Sequence, residues 1–585
     1  IVRYYPDHNG WNLSILYFSN SFGAALGVLI NGFVFIPNFG LPGALLTGGV
    51  INVLVALGVY LAVKNEQEET QPATRSKPIS ASVTFNLNRL SLRGAMLIVA
   101  MFTGTASFMY EIAWIRMLSL VFGSSTYSFE VMLSAFILGI ALGGFWIRKR
   151  IDTFENPIAV LGRIQLVMGT LAALSLVLYM ACFDLMVWTR SALSLTNEGY
   201  FLFMLINYGS SALVMLPVTI CAGMTLPLIT KILIEHENST TSIGHVYASN
   251  TLGSIVGVVL ASQIVLPLLG LKTLILSGAL IDLALGCLLI YSTMGALRRF
   301  SFNTVPALGV WLIIAALFSL DQLTMASGPF RSGRLFDESS SEVIYYRDGK
   351  SSTVSVVQHD NGIRAIANNG KPDAGLYVPD ANGEMPPSAN DEHTMMLLPI
   401  IGLAHYPQAK SVANIGFGSG LTAHTILGAD VDRVDSIEIE PAVIEGARFF
   451  ESRVERAYTD PRSNIIIGDA KTVLVSNGEL YDLIIAEPSN PWVSGVANLF
   501  TDQYYGLTRR YLTDNGIFLQ WLQLYEIEER LVASIYKALR NNFDQVIFYQ
   551  VSLTDTVLVA SNSGNLNVPL NFEQFDNSGL ESELA

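Results

Sequence analysis

Apolar residues dominate the first part of the chain, and regular alternation with polar residues begins only later. Up to about residue 320, one apolar stretch follows another. A helix needs about 20 mostly apolar residues to cross a hydrocarbon core of about 30 Å. The pattern predicts eight membrane-spanning helices and leaves open whether a ninth, shorter stretch crosses. The eight spans are 13–36, 42–63, 94–117, 126–147, 157–183, 201–229, 246–266 and 272–294, and the ninth stretch is 304–320.

Part of this apolar pattern occurs twice. The segment YFSNSFG at 17–23 returns as YASNTLG at 247–253, and Gly40 returns as Gly270, at a constant offset of 230 positions. A constant register indicates a duplicated membrane unit. The second copy holds six spans and the first only two, so we expect the natural protein to begin about four helices earlier. Repeated units are common in transporters, but an old duplication without transport is the interpretation we favour.

Loop charges and intramembrane polar residues add two expectations. The basic residues of 148–150, 298–299 and the 64–93 linker fall on one side of the predicted spans, which should be cytoplasmic. Asp282 lies mid-span, where an ionisable group is costly and often functional. Hydrogen bonding between helices is the alternative that we favour for it.

The second part of the chain carries the signals of a soluble α/β domain. Residues 342–370 alternate as strands and contain three Asx-Gly hairpin turns, which predicts a small antiparallel β-subdomain. From residue 410, strands alternate with helices, which is typical of a parallel sheet. The predicted strands are 411–415, 433–439, 464–467, 481–486 and 516–521.

Polar residues follow four of these strands. Gly416-Phe417-Gly418-Ser419-Gly420 ends the first strand, and glycines there allow a ligand to approach the backbone at a helix N-terminus. Glu438 ends the second strand, where an acidic side chain can accept both hydroxyls of a ribose. Asp469-Ala470 and Glu487 follow the third and fourth. Because open α/β sheets bind ligands at this edge, the set predicts a binding site, although helix capping by Glu438 or Asp469 is an alternative.

Composition excludes several classes of protein. Charged residues make up 14%, hydrophobic residues 51%, and the mean hydropathy is +0.44, which excludes a fully soluble or a disordered chain. A net charge of −14 argues against nucleic acid as a partner. The three cysteines lie in apolar runs, so neither a disulfide framework nor a zinc cluster is expected, and we predict no metal.

Residues from about 340 to 560 resemble the spermidine synthase (aminopropyltransferase) family. The resemblance rests on five segments, and the whole chain looks like the bacterial and archaeal proteins in which such a domain follows a multi-pass membrane half. It implies a class I methyltransferase-like Rossmann fold behind a small N-terminal β-subdomain. The segments are Asn414–Gly420, Glu438–Val443, Gly468–Ala470, Leu499–Tyr505 and Gln520-Trp521.

The predicted organisation has six parts. The last two spans of a truncated first repeat (1–63) and a polar linker (64–92) precede the second membrane repeat with its doubtful ninth span (93–320). A linker with the β-subdomain (321–400), a Rossmann-like catalytic domain (401–562) and a polar acidic tail (563–585) complete the chain.

The resemblance also implies roles for individual residues. Glu438 would bind the ribose of an S-adenosyl donor, Asp469 would contact its adenine, and Glu487 stands at the position of the catalytic aspartate, where it would take a proton from the attacking amine. The implied donor-binding residues are Gly416, Gly418, Ser419, Gly420, Glu438, Asp469 and Ala470, and the implied amine-binding residues are Asn490, Tyr504, Tyr505, Gln520 and Trp521.

Departures from the family pattern keep other functions open. Ser419 replaces the aspartate that grips the aminopropyl ammonium of decarboxylated S-adenosylmethionine, and 392–397 replaces the gate segment with its Tyr and Glu. We therefore weigh three interpretations. The first is a membrane-bound aminopropyltransferase acting on an amine such as putrescine. The others are a methyltransferase or other enzyme using S-adenosylmethionine, and a non-enzymatic transporter or sensor with a nucleoside-binding domain.

Partners and location follow from the same resemblance. We expect a lipid bilayer and a small amine as partners, and a homodimer by analogy. The chain is expected in the plasma or inner membrane. S-adenosyl donors are made in the cytoplasm, so we expect the soluble domain to face it. A crossing by 304–320 would place the domain outside, so three alternatives stay open: 304–320 is a re-entrant or surface helix, the loop charges mislead about orientation, or the domain faces outward and has another function.

Overall fold

The computed structural model describes residues 9–66, 91–194, 196–237, 239, 241–293, 297–378, 390–563, 566, 569–572 and 575. Most of the predicted linker and of the acidic tail lies outside these residues. The chain divides into two compact units. The first contains the apolar part up to Leu320 except for Gly123–Thr126, and the second contains that short segment and the chain from Asp321 onward.

The first unit is helical. Six apolar helical stretches in the described part are long enough to cross a membrane. Two of them, Gly10–Ala62 and Thr241–Thr293, have 53 residues each, which is about 80 Å of straight helix and far more than one crossing requires. The helices are α1 (Asn9–Ile30), α2 (Ile36–Glu66), α3 (Leu92–Phe122), α4 (Thr126–Ile147), α5 (Pro157–Ala192), α6 (Asn197–Glu237), α7 (Thr241–Val259), α8 (Leu266–Thr293) and α9 (Leu297–Leu317).

Both of the 53-residue stretches are interrupted in the same way. Gly40 has φ 66° and ψ 175°, and Gly270 has φ 77° and ψ 177°, backbone angles that belong to no helix and that side chains disfavour. A short π-helix precedes each break, at Asn31–Phe35 and at Leu260–Val265. Each stretch therefore forms two crossing segments, as the span pairs 13–36 with 42–63 and 246–266 with 272–294 predict. The shared geometry matches the sequence repeat.

The second unit begins with two short helices and a four-stranded antiparallel sheet in the order β1-β2-β3-β4. The predicted turns at Asn361-Gly362 and Asn369-Gly370 connect its strands, with positive φ at Gly362, Asn369 and Gly370. This sheet confirms the β-subdomain. Its elements are α10 (Gln322–Ala326), α11 (Pro329–Ser332), β1 (Ser341–Asp348), β2 (Thr353–His359), β3 (Ile363–Asn368) and β4 (Lys371–Tyr377).

A seven-stranded sheet in the order β10-β11-β9-β8-β5-β6-β7 forms the rest of the second unit. Strands β7, β6, β5, β8 and β9 pair in parallel, and β11 and β10 extend the sheet with antiparallel pairing. The elements are α12 (Asn390–His405), β5 (Ser411–Ile415), α13 (Leu421–Leu427), β6 (Arg433–Glu438), α14 (Pro441–Ala447), α15 (Arg456–Thr459), β7 (Ser463–Ile467), α16 (Ala470–Asn477), β8 (Tyr481–Ala486), α17 (Asp502–Arg510), β9 (Leu512–Gln523), α18 (Glu529–Asn542), β10 (Gln545–Gln550) and β11 (Asp555–Ser561).

The central strands owe their position to uninterrupted apolar runs. All six residues of β8 except Asp482 are buried, and β5 is buried from Val412 to Ile415. Parallel strands covered on both faces need such runs because neither face meets water. The five predicted strands of the parallel sheet are all present, whereas the antiparallel pair β10 and β11 was not predicted. That pair brings Asp555 to the carboxyl edge of the sheet.

Candidate active site

A cavity of about 1380 Å³ lies at the carboxyl ends of β5, β6 and β8. The β-subdomain contributes the strand β4 to its wall, and the β9 and β11 strands contribute Trp521 and Asp555. The seven predicted site residues that line it are Gly416, Gly418, Glu438, Asp469, Ala470, Glu487 and Trp521.

The glycine loop after β5 requires glycine for two different reasons. Gly416 has φ 93°, and a Cβ there would lie 2.7 Å from the carbonyl oxygen of Glu487. Gly418 has φ 53°, but a Cβ there would meet no atom within 4 Å, so its face is open to the cavity. The first glycine therefore permits close packing of two strand ends, and the second leaves space beside the backbone.

Glu438 is held at the end of β6 by backbone donors. The Phe417 N–H donates to its Oε2 at 3.1 Å, and the Glu440 N–H donates to its Oε1 at 2.9 Å. Burial raises the pKa of Glu438, while these hydrogen bonds act in the opposite direction. Each carboxylate oxygen keeps a second acceptor position. The side chain thus orients the glycine loop and still presents acceptors to the cavity.

Glu440 joins the Rossmann sheet to the β-subdomain. Its carboxylate accepts hydrogen bonds from the Ser351 N–H at 2.6 Å, the Ser351 hydroxyl at 2.7 Å and the Ser352 N–H at 3.2 Å. It also caps α14 through the Ala442 N–H at 3.2 Å. The turn between β1 and β2 is therefore fixed over the cavity by one buried side chain.

Asp469 caps α16 and also lines the cavity. Its Oδ1 accepts from the Thr472 N–H at 3.0 Å and from the Thr472 hydroxyl at 3.2 Å. Ala470, the next residue, lines the same wall. The capping alternative for Asp469 is thus present in the structure, and it leaves the other carboxylate oxygen available to a ligand.

Glu487 directly follows β8 and lines the cavity wall. Its Oε2 accepts a hydrogen bond from the Thr422 hydroxyl at 2.6 Å. Burial, with a smaller effect of the nearby Asp391 and Asp373 carboxylates, raises the pKa of Glu487 to about 7, against the lowering effect of the Thr422 hydrogen bond. A carboxylate with this pKa exchanges protons near neutral pH, which suits a general base.

A buried ion pair, Lys371 with Asp373, also lies at the cavity wall. The Lys371 ammonium donates to Asp373 Oδ1 at 2.7 Å and to the Ser489 hydroxyl at 2.9 Å, and that hydroxyl donates to Asp373 Oδ1 at 2.9 Å. Lys371 is 5% exposed. The three side chains fasten β4 to the segment that follows Glu487, and all three line the cavity.

Two further carboxylates line another part of the wall. Asp391 lies in the first turn of α12. Burial raises its pKa, with Asp555 as the next cause, while the Arg331 and Lys371 cations act in the opposite direction. Asp555 accepts hydrogen bonds from the Trp521 indole N–H at 3.0 Å and the Ser552 hydroxyl at 2.6 Å. Asp391 therefore lies within electrostatic range of both Glu487 and Asp555.

Six other predicted site residues do not line this cavity in the described part of the chain. Ser419 is 1% exposed and its hydroxyl faces the Met395 sulfur at 3.6 Å. The Tyr505 hydroxyl donates to Gln520 at 2.7 Å within the core beneath the sheet. The six are Ser419, Gly420, Asn490, Tyr504, Tyr505 and Gln520, and for each of them the ligand-binding role stays a prediction.

Three acidic residues of the cavity wall, Asp373, Asp391 and Asp555, were not predicted from the sequence. Asp391 directly precedes the 392–397 segment that stands in place of the family gate, so its position offered a weak signal. Asp373 and Asp555 offered none. They lie on β4 and β11, far apart in sequence from each other and from Glu487, and only strand pairing places them at one cavity.

Comparison with known proteins agrees with this geometry. The family model of the spermine/spermidine synthase domain matches residues 393–560. The C-terminal unit contains a spermine/spermidine synthase domain. The Major Facilitator Superfamily model matches residues 1–258, so the chain joins that domain to a multi-pass membrane part similar to this superfamily.

Individual relatives extend the similarity across both units. Polyamine aminopropyltransferase 2 of Streptomyces coelicolor is 22% identical over 457 residues, covering 76% of this chain and 77% of its own. Polyamine aminopropyltransferase 1 of the same organism is 25% identical over 442 residues, covering 72% and 75%. Each alignment is longer than either unit alone. These relatives therefore match both the membrane part and the synthase domain.

Solved structures similar to this chain include the spermidine synthase of Thermotoga maritima, with 20% identity, a TM-score of 0.33, and coverage of 40% of this chain and 76% of that one. A spermidine synthase in complex with the transition-state analogue AdoDATO has 19% identity, a TM-score of 0.32, and coverage of 40% and 75%.

Proposed function

We propose that the chain is a membrane-bound aminopropyltransferase, which transfers the aminopropyl group of decarboxylated S-adenosylmethionine to an amine such as putrescine. The observation that carries the proposal is Glu487, a carboxylate at the end of β8 whose pKa is raised to about 7 and which faces a cavity rich in carboxylates. The match of residues 393–560 to the spermine/spermidine synthase domain supports it.

Glu487 acts as the general base in the proposed reaction. An ammonium has no lone pair, so the acceptor must lose a proton before its nitrogen can attack the carbon next to the sulfonium. Glu487 takes that proton, the new C–N bond forms, and the C–S bond breaks. Its electron pair stays on sulfur, which leaves as the neutral thioether methylthioadenosine. Thr422 keeps the carboxylate oriented throughout.

The donor is assigned to the glycine loop and the strand ends beside it. Glu438 retains acceptor positions for the two ribose hydroxyls, and Asp469 with Ala470 lines the wall assigned to adenine. Gly418 leaves the backbone open on the cavity side, where the sulfonium is assigned. No other residue type fits the φ of 93° and the close approach at Gly416.

The acceptor is assigned to the carboxylates Glu487, Asp391 and Asp555. A diamine carries two ammonium groups, so it needs a carboxylate at the reacting end and another at the distal end. Glu487 serves the first, and the Asp391–Asp555 pair serves the second. The gate segment with its Tyr and Glu is missing from this chain. In this assignment, Asp391 on α12 and Asp555 on β11 supply the carboxylates for the distal ammonium instead.

Product analysis by mass spectrometry tests the proposal. The purified full chain receives putrescine with either decarboxylated or intact S-adenosylmethionine, and Glu487→Gln is the control. We expect spermidine and methylthioadenosine from the decarboxylated donor, and at least about 100-fold less of both from the variant. Absence of any aminopropyl product, with methylthioadenosine still bound by the protein, would overturn it.

A methyltransferase is the second candidate function, and one observation favours it. Ser419 supplies no carboxylate to hold the aminopropyl ammonium of the decarboxylated donor or to repel the carboxylate of intact S-adenosylmethionine. Release of S-adenosylhomocysteine in the same assay would identify this reaction.

The soluble domain is assigned to the cytoplasmic face of the plasma or inner membrane. The basic loop residues 148–150 and the cytoplasmic origin of the donor support this assignment. A homodimer stays an expectation by analogy.

A further inference from the structure

Asp282 is a carboxyl group in the interior of the membrane unit. It lies on α8 at the middle of the segment between the break at Gly270 and the helix end at Thr293. Either end is about 17 Å away along the helix. The side chain is 0% exposed. Its depth therefore corresponds to the centre of a hydrocarbon core.

One oxygen of this carboxyl group is satisfied and the other is not. The Tyr110 hydroxyl of α3 donates to Asp282 Oδ2 at 2.6 Å. Asp282 Oδ1 is buried without a hydrogen-bond partner among the described residues. Gly278, one turn earlier on α8, makes this contact possible, since a Cβ there would lie 2.7 Å from the Tyr110 ring.

Charged neighbours do not compensate Asp282 in the part of the chain that the structure describes. The titratable groups that face it are Tyr110 on α3 and Cys221 on α6. Helices α5 and α9 also pack against α8, but among their described residues no charged or titratable group contacts Asp282. An ionised carboxylate without a counter-ion at this depth is costly.

If Asp282 only held α3 and α8 together through a hydrogen bond, a neutral polar side chain would do so equally well. The same bundle contains a neutral pair of this kind, in which the Gln165 amide donates to the Thr103 hydroxyl at 2.6 Å. The first copy of the repeat carries Asn52 where the second carries Asp282. An Asn could accept the Tyr110 hydrogen bond, so what the carboxyl group adds is its ability to bind and release a proton.

We propose that Asp282 is a proton-binding site inside the membrane unit, in exchange with the aqueous phase, with Oδ2 oriented by Tyr110 and the proton carried on Oδ1. The membrane unit would then bind and release a proton, which a part that only anchors the synthase domain does not need to do. The site is independent of the synthase domain and of the function proposed for it.

Infrared spectroscopy of the full chain in phosphatidylcholine vesicles tests the site. The chain is produced with aspartate labelled with ¹³C at the side-chain carboxyl, and the carbonyl band of protonated carboxylic acids is recorded between pH 5 and 10. We expect a band that shifts with the label, disappears as the pH rises, and is lost in Asp282→Asn.

A second variant, Tyr110→Phe, keeps the test valid if Asp282→Asn fails to fold. In Tyr110→Phe the Asp282 band should remain but move to higher frequency, because its carbonyl loses a hydrogen bond. Three results would overturn the proposal: no such band in the wild type at any pH, a band unchanged in Tyr110→Phe, or a band that persists unaltered over the whole pH range. The aminopropyltransferase assay is not used, so its outcome has no bearing on this result.

Discussion

At the scale of single residues, the environment of Glu487 decides the chemistry that the site supports. A glutamate in water is ionised well below neutral pH, but the cavity wall around Glu487 and the carboxylates Asp373 and Asp391 oppose its ionisation. The group is therefore poised between its two protonation states near neutral pH.

The rate of the proposed reaction should depend on pH through this group. The base works only when deprotonated, so kcat/KM for putrescine should rise about tenfold per pH unit below pH 7 and level off above it. Glu487→Gln should lower kcat by about 10²–10⁴-fold and leave methylthioadenosine binding, measured by calorimetry, unchanged. A variant that keeps a third of the wild-type rate would exclude Glu487 as the base.

The same carboxyl group predicts a pH-dependent stability. Its folded-state pKa of about 7 exceeds the usual 4.5, so its ionisation costs the folded state more as the pH rises through this window. Above pH 7 the cost is about 3 kcal/mol. Glu487→Gln should therefore raise the melting temperature at pH 8 and leave it nearly unchanged at pH 4.5. A stabilisation that is larger at the lower pH would contradict the assignment.

Asp555→Asn tests the distal end of the amine site. The loss of one charge-assisted contact, about 1.5–3 kcal/mol, should raise KM for putrescine about tenfold or more. KM for n-butylamine, which has no distal ammonium, should not change. Asp514→Asn is the matched control, because Asp514 is exposed at the start of β9 and does not line the cavity. Equal effects on both amines would refute the assignment of Asp555.

At the scale of elements, short connections between strands and helices position the site. The loop from β5 to α13 approaches the end of β8 so closely that Gly416 has no space for a side chain. The turn from β1 to β2 is held by Glu440. Both contacts join segments that are distant in sequence.

Gly416→Ala should therefore be much more harmful than another glycine substitution at positive φ. A side chain at φ 93° is strained and would meet the Glu487 carbonyl, which together cost about 2–5 kcal/mol. Gly478→Ala is the control, since Gly478 has φ 65° and open space around it. Melting temperatures of the full chain in detergent should fall further for the first variant. Equal losses would show that strain alone matters.

At the scale of the whole molecule, the chain combines a multi-pass helical unit with a synthase domain. The break at Gly40 and the break at Gly270 share their backbone angles and the π-helix before them. The duplication inferred from sequence is therefore also a duplication of local geometry.

The side of the membrane that carries the synthase domain is testable with one cysteine. Ser339→Cys introduces an exposed thiol ahead of β1, whereas the native cysteines lie within the membrane helices. An impermeant maleimide should label it only after the cells are permeabilised, and the unsubstituted chain serves as the control. Labelling of intact cells would place the domain outside.

The sequence by itself determined the membrane part, the parallel sheet and the residues at the ends of its strands. These features depend on local periodicity and on short segments, so Gly416, Glu438, Asp469 and Glu487 were predicted at the cavity wall. Their positions follow from one rule, that parallel strands present their carboxyl ends at one edge.

Only the tertiary structure decided which other groups share that edge. Asp373, Asp391 and Asp555 come from three elements with no common motif, and the antiparallel pair β10–β11 that carries Asp555 was not predicted. In the same way, Tyr505 and Gln520 satisfy each other in the core. Local patterns specify secondary structure, but the charge that surrounds Glu487 depends on long-range pairing between strands, which no short segment of the sequence encodes.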